Sequence, residues 1–435
     1  MVRIIDRGPL WEIGGIANSH REYLKQIAKK HKVWLTDFPS LDFGNEFCDM
    51  FNSFKFNRYN HMMFLYGDTA NWYNYANHDC IGYNVYEGDN PPTSWINNMN
   101  NSHIKEIWVP SNYVKETYIN KGVIKPIKVV PHGINKNFKP INIKRKFKII
   151  NTKSNYNYIG IPLKSNGEDI FKDKFIFFGM GSIYGTGQRD RKGIDILLKA
   201  FEKAFKNNSD VCLIIKLNIK YAQGYYKKKG SGEFDLDTYL KRYISKNKNI
   251  YILLQDLEES ELIRLYNAVD CGVFPHRSEG FGMIQQEMMA CDKPVITTGY
   301  SGTNDTSQKH LRIKINGFKL AEFDNIDEQR YPYVGSKWPE PSLNHLVKLM
   351  KNMFKDFDTH KLLSEEYGKY IRKEFSWNKI GRYINSYINK KFRYKNPTKT
   401  PCPNCLKNGK KVYLIESEND GILRCPECFA WRNKK

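Results

Sequence analysis

No run of roughly eighteen apolar residues, the length a membrane-spanning helix requires, occurs in this 435-residue chain. Its first residues, Met1-Val2-Arg3-Ile4-Ile5-Asp6-Arg7, lack the basic-then-apolar shape of a secretory leader. A cytosolic protein is expected. No internal repeat is visible, which sets aside solenoids and propellers. Acidic residues are scarce, with 46 Asp and Glu against 69 Lys and Arg, a formal charge of +23. Hydrophobic residues at 40% and aromatics at 14% exclude an unfolded chain. The length exceeds what one hydrophobic core ordinarily serves, so two domains are expected.

Paired cysteines are missing from most of the chain. Cys48, Cys80, Cys212, Cys271 and Cys291 are scattered, as reduced thiols in a reducing compartment would be. The other four form two C-x2-C knuckles, Cys402-Pro403-Asn404-Cys405 and Cys425-Pro426-Glu427-Cys428, with nineteen residues between them. That spacing suits four thiolates around one structural zinc, a zinc ribbon, with strand-like Lys411 to Ile415 between the knuckles.

Residues 274 to 306 carry the densest chemistry. Glu279 and Glu287 bracket Gly280-Phe281-Gly282, a turn that opens a helix, with Glu287 two turns into it. The glycines let backbone approach a ligand, and the first helical turn offers unpaired N–H groups to phosphate. One carboxylate is then free for sugar hydroxyls and the other for a ribose diol. The segment, with its following Ala-Cys-Asp-Lys-Pro-Val-Ile-Thr-Thr run, resembles the Glu-x7-Glu signature of the retaining GT-B-fold glycosyltransferases of family four.

The likeness extends over roughly residues 1 to 390. Gly14-Gly15, between an expected strand at Val2–Ile5 and a helix at Ile16–Lys30, resembles the family's cleft-facing glycine loop. Ile81 to Glu87 with Asn90 to Trp95, then Trp108-Val109-Pro110-Ser111 and Val130-Pro131-His132-Gly133, resemble first-domain landmarks. Glu87 is expected at the end of a strand, where many members carry an active-site histidine, and the resemblance implies that it orients acceptor or donor sugar. His20 and His132 lie where the family faces its cleft.

Phe175 to Gly179 reads as a buried parallel strand, followed by a long loop and a helix at Ile194–Lys206. Arg191-Lys192-Gly193 resembles the diphosphate-binding element, which implies that Lys192 steadies the leaving group and Arg191 assists. Many members have Gly-Arg after this strand. This chain has Gly179-Met180, so Arg189 or Arg191 is left to replace the missing arginine. Asp235-Leu236-Asp237 resembles a metal-binding Asp-x-Asp only superficially, and no catalytic metal is expected.

The expected fold is α/β, a GT-B pair of Rossmann-like domains facing a cleft, plus the ribbon. Residues 1–145 form the acceptor domain, 146–173 a linker and 174–365 the nucleotide-sugar domain. Residues 366–394 form a helix crossing back to the first domain, and 398–435 the ribbon. The implied activity is retaining transfer of a sugar from a nucleoside-diphosphate-sugar, by front-face displacement, to an acceptor hydroxyl. Residues 388–435 hold twelve Lys/Arg against four Asp/Glu, which favours a polyanionic partner, DNA, RNA or an anionic membrane met peripherally, unless it reflects composition alone. A hydroxylated base in nucleic acid is the leading acceptor. A glycan, lipid or protein is the alternative, and a catalytically silent nucleic-acid-binding GT-B scaffold the third reading.

Overall fold

A computed structural model describes residues 2–10, 15–36, 62–67, 69–75, 78–143, 147–151, 157–160, 171–183, 190–220, 235–243, 247–321, 332–391, 403–408, 415–416, 422–424 and 431–433. Near-continuous apolar runs such as Phe175-Ile176-Phe177-Phe178 and Val211-Cys212-Leu213-Ile214-Ile215 form strands because both faces of a parallel sheet are covered by helices.

The first sheet comprises β1 (Arg3–Arg7), β2 (Lys32–Leu35), β3 (Met62–Tyr66), β4 (Cys80–Tyr83), β5 (Ile104–Val109) and β6 (Ile127–Val129). They lie in the order β2-β1-β3-β4-β5-β6, all parallel. The helices α1 (Gly15–Ala28), α2 (Thr93–Asn100) and α3 (Asn112–Asn120) connect them. Ser111 caps α3 by accepting the Val114 N–H at 3.4 Å.

The second sheet comprises β7 (Lys148–Asn151), β8 (Asn157–Gly160), β9 (Phe175–Ser182), β10 (Val211–Asn218), β11 (Ile250–Leu253), β12 (Cys271–Phe274), β13 (Val295–Thr298) and β14 (Arg312–Ile313). Its order is β14-β13-β12-β9-β10-β11-β8-β7, parallel except for the β7–β8 pair. The stretch 146–173, expected as a linker, therefore supplies two edge strands to the second domain. Of its short runs, Asn157-Tyr158-Ile159-Gly160 pairs in parallel with β11, and Lys148-Ile149-Ile150-Asn151 pairs antiparallel with β8 at the sheet's edge. The helices α4 (Ile194–Phe205), α5 (Leu236–Lys241), α6 (Glu259–Ala268), α7 (Met283–Ala290) and α8 (Leu343–Lys355) belong to this domain.

One face of this sheet buries Phe177, Leu213, Ile215 and Leu217 with α4 and α8, the other Phe178, Cys212, Ile214 and Leu253 with α6 and α7. β15 (Ile315–Leu320) and β16 (Lys337–Pro341) form a separate two-stranded antiparallel sheet. Near the end of the chain, β17 (Ile415–Glu416), β18 (Ile422–Arg424) and β19 (Trp431–Asn433) form an antiparallel sheet.

The return to the first domain is sharper than the sequence implies. A single helix, α9 (Phe357–Glu374), spans the expected boundary at 365 and packs on α7. The chain then crosses at Phe375-Ser376, and α10 (Trp377–Lys391) packs on α1. Trp377 fits because residue 133 is glycine, since a Cβ there would lie 2.4 Å from the indole. Asn385 Nδ2 donates to the Gln26 carbonyl at 2.8 Å, and buried Glu106 accepts from Tyr387 at 2.5 Å and from Lys391. Among the described residues no helix is long and apolar enough to cross a membrane.

Candidate active site between the two sheets

β12 ends at the carboxyl edge of the second sheet, the side on which open parallel sheets bind ligands. Glu279 lies in the loop after it, 7% exposed. Its N–H donates to Ser301 Oγ at 3.0 Å, and its carbonyl accepts the Gly302 N–H at 2.9 Å. Ser301 has φ 69°, a left-handed conformation strained for a residue with a Cβ. A Cβ on residue 302 would meet the Gly280 carbonyl at 2.1 Å, so only glycine lets the two loops close.

The Glu279 side chain meets two cations. Lys192 Nζ lies 2.5 Å from Oε1, and Arg191 Nη1 lies 3.5 Å from Oε2. Burial pushes this carboxyl up, but Lys192, Arg191 and His276 together hold it down to about 2. Lys192 is delivered by a tight turn into α4. Gly193 has φ 71°, and a Cβ there would lie 1.9 Å from the Pro275 carbonyl. Arg191 is anchored by donating from Nη1 to the Ser278 carbonyl at 2.8 Å. Its Nη2 reaches across to Glu87 of the first domain at 3.4 Å.

Glu87 lies four residues beyond the end of β4, in the loop before α2, not at the strand end. It also accepts a hydrogen bond from Tyr333. Glu87, Arg191, Glu279 and Lys192 thus form one alternating chain of charges spanning both domains.

Gly282 (φ 93°) precedes α7, so Glu287 sits on the second turn of that helix. The left-handed backbone requires glycine, and a Cβ would lie 2.5 Å from Thr303. Glu287 is partly buried and accepts a hydrogen bond from Tyr266 Oη at 3.1 Å. Burial raises its carboxyl to about 8, against the opposing effect of Tyr266. The two glutamates therefore present different faces to a ligand, one a carboxylate locked between cations, the other a carboxyl that holds its proton near neutrality.

The domains meet around these loops. Ser111 Oγ donates to the Gly280 carbonyl at 2.6 Å, and a Cβ on residue 280 would clash with Val85 at 2.4 Å. Phe281 is buried edge-on against His132, centroids 5.1 Å apart. Gly15 opens α1 facing Met283, and Gly14 lies outside the described residues. His132 is buried, which lowers it to about 3, and His20 is buried between Asp6 (2.8 Å) and the Pro9 carbonyl (3.0 Å). Both serve packing.

Asp235 caps α5 by accepting the Asp237 and Thr238 N–H groups at 3.1 and 3.2 Å, a structural task. Cys402, Cys425, Cys428 and the side chain of Cys405 lie outside the described residues, as does Arg189.

Sequence reasoning missed Tyr333, Tyr266 and Ser301, and with them the docking of the segment after residue 331 onto the Glu87 loop. There Tyr86 Oη donates to the Pro332 carbonyl at 2.7 Å, Trp338 Nε1 donates to the Glu87 carbonyl at 2.9 Å, and the Lys337 N–H donates to Asp89 at 2.7 Å. The Gly-Tyr-Ser-Gly run at 299–302 is the one local signal that pointed to a constrained loop.

An uncharacterized glycosyltransferase of Methanocaldococcus jannaschii is 30% identical over 192 residues, covering 43% of this chain and 42% of that protein. The capsular polysaccharide biosynthesis glycosyltransferase CapM of Staphylococcus aureus is 28% identical over 137 residues, covering 32% of this chain and 31% of that one. The chain thus spans less than half the length of these curated relatives. In structure it is similar to Anabaena Alr3699/HepE in complex with UDP-glucose, with a TM-score of 0.62 and 13% identity over 90% of this chain and 100% of that one. It is also similar to sucrose-phosphate synthase of Thermosynechococcus elongatus, with a TM-score of 0.58 and 14% identity over 90% and 99%. Residues 167–328, which hold Arg191, Lys192, Glu279 and Glu287, match the family model described as Glycosyl transferases group 1, and the two parallel-sheet domains have the GT-B fold.

Proposed function

We propose that this protein is a retaining glycosyltransferase that takes a sugar from a nucleoside-diphosphate-sugar. The observation that carries the reading is Glu279, held ionised between Lys192 and Arg191 at the carboxyl edge of the second sheet and facing the first domain. Glu279 accepts hydrogen bonds from donor sugar hydroxyls, and Glu287 from the ribose diol. Lys192 and Arg191 stabilise charge on the departing diphosphate, and Glu87 orients the acceptor or the donor sugar. In front-face displacement the bond between the anomeric carbon and the diphosphate oxygen breaks, the acceptor oxygen bonds to the same face, and that diphosphate oxygen takes the acceptor proton. No protein nucleophile and no catalytic metal are required.

For the acceptor we propose a hydroxylated base in nucleic acid, in the cytosol, on the strength of the +23 charge and the terminal cysteine knuckles. The likeness to a capsular polysaccharide biosynthesis enzyme favours a second reading, a glycan acceptor. The deciding test is incubation with labelled nucleotide-sugars and matched acceptors. Label covalently joined to hydroxylated DNA or RNA supports the first reading, and transfer only to glycan, lipid or protein overturns it. Absence of both transfer and donor hydrolysis across the donor panel sinks the enzyme assignment and leaves a binding scaffold.

The knuckles Cys402/Cys405 and Cys425/Cys428 are proposed to hold one structural zinc. Elemental analysis of the purified protein should give one zinc per chain, falling to none in a Cys402→Ser, Cys425→Ser double variant. Unchanged zinc in that variant, or none in the native protein, rejects the site.

A further inference from the structure

Lys216 has no role in the site as described, yet it is a lysine only 5% exposed at the carboxyl end of β10. Buried ammonium groups are rare without a firm partner. Among the described residues its ammonium meets one carboxylate, Asp256, at 4.0 Å, and that carboxylate is exposed and held more closely by Lys220 at 2.7 Å. Burial lowers the Lys216 ammonium from its ordinary value, and Asp256 offsets only part of that effect.

Its position says what it faces. Along β10, Leu213, Ile215 and Leu217 pack toward α4, while Cys212 and Ile214 pack toward α6 and α7. Strand alternation puts Lys216 on the second face, the face of Tyr266, the residue bonded to Glu287. The parallel register sets Lys216 directly opposite Met180 of β9, and Met180 packs on that same face.

A charge argument points the same way. Arg191 and Lys192 are already matched by Glu87 and Glu279, two positive against two negative formal charges. Lys192 and Arg191 therefore meet a dianionic ligand while shared with these two carboxylates, and a further cation held only weakly, as Lys216 is by Asp256 at 4.0 Å, adds attraction beyond theirs. Resting on the donor reading above, we propose that Lys216 is a further donor-binding residue, whose ammonium pairs with the diphosphate of the nucleotide from the Glu287 side of the second sheet. The cation absent at position 180 is supplied by the neighbouring strand at the position in register with it.

The test compares UDP, GDP and ADP with uridine, guanosine and adenosine by calorimetry. Using the nucleotide that the native protein binds, Lys216→Met should weaken diphosphate binding by about tenfold to a hundredfold, as for loss of one charge-assisted bond. Binding of the matching nucleoside should change less than about twofold. Lys216→Arg should restore most of the diphosphate affinity. Should Lys216→Met fail to fold, lysine 13Cε labelling of the native protein gives the same answer. The Lys216 resonance, assigned by its loss in Lys216→Arg, should shift on adding the nucleoside diphosphate and not on adding the nucleoside. Unchanged diphosphate affinity, equal losses for nucleoside and diphosphate, or an unmoved resonance overturn the role of Lys216 while leaving the donor reading intact. If the native protein binds none of the diphosphates, the donor reading fails and the inference with it.

Discussion

Lys192→Met is expected to lower turnover on any accepted nucleotide-sugar by about 10²–10³-fold, the usual cost of removing one group aimed at charge that develops in the transition state. The fall should appear in kcat more than in KM, because the leaving diphosphate carries more charge in the transition state than in the bound donor. A second signature follows from Glu279. Burial alone would push its carboxyl up, and the nearest opposing charge is Lys192 at 2.5 Å, with Arg191 more distant at 3.5 Å. Removing Lys192 should therefore raise Glu279 from about 2. The acid limb of the rate profile should move to higher pH, since protonated Glu279 cannot accept from the sugar hydroxyls as a charged group.

The sign for stability is consistent with this. A carboxyl depressed on folding stabilises the native state above its unfolded value, and that contribution fades as pH falls through the folded one. Acid unfolding of Lys192→Met should thus begin at higher pH than in the native protein. Glu279→Gln removes the other half of the pair, and the double variant should cost much less than the two single losses combined, because the residues act as one unit. Turnover of Lys192→Met within threefold of native, with native-like thermal unfolding, sinks the assignment.

The clustering of the second-domain residues of this site was legible in sequence because they come from two short, motif-bearing segments. Arg191-Lys192-Gly193 and Glu279 to Glu287 sit at strand-to-helix turns of the second domain, and glycines at 193, 280 and 282 mark where backbones touch. The parallel strands were legible for a related reason, since β9 and β10 are almost wholly apolar. What stayed hidden depends on contacts between distant segments. Nothing local to Tyr333 announces that it bonds Glu87, 246 residues away. Nothing in Lys148 to Gly160 marks it as sheet, because β8 finds its parallel partner in the distant β11 and β7 is an edge added to β8. The crossing helix shows the same limit. Its amphipathic pattern predicts a helix, but the place where α9 ends and α10 begins is set by Ile134, whose backbone receives the Trp377 N–H at 3.3 Å and donates to the Phe375 carbonyl at 2.7 Å.

Donor binding should tighten as pH rises toward 8 and should release protons at neutrality, an effect assigned to Glu287. In the free protein burial raises this carboxyl to about 8, so near pH 7 it is mostly protonated. A ribose diol offers two O–H donors and binds best to a carboxylate that can accept both. Binding therefore favours the ionised form and expels the proton. Affinity should climb by up to about tenfold per pH unit below 8 and level off above it. Calorimetry at pH 7 in two buffers of different ionisation enthalpy should show release approaching one proton per nucleotide bound. Glu287→Ala should abolish both the proton release and the pH slope, and weaken binding by roughly tenfold to a hundredfold, as for loss of bonds to a charged acceptor. Tyr266→Phe discriminates further. Tyr266 donates to Glu287 at 3.1 Å and favours its ionised form, so its removal should raise the carboxyl further and move the plateau to higher pH without abolishing binding. Native binding that is flat between pH 6 and 9, or proton release that persists in Glu287→Ala, would remove Glu287 from the ribose site.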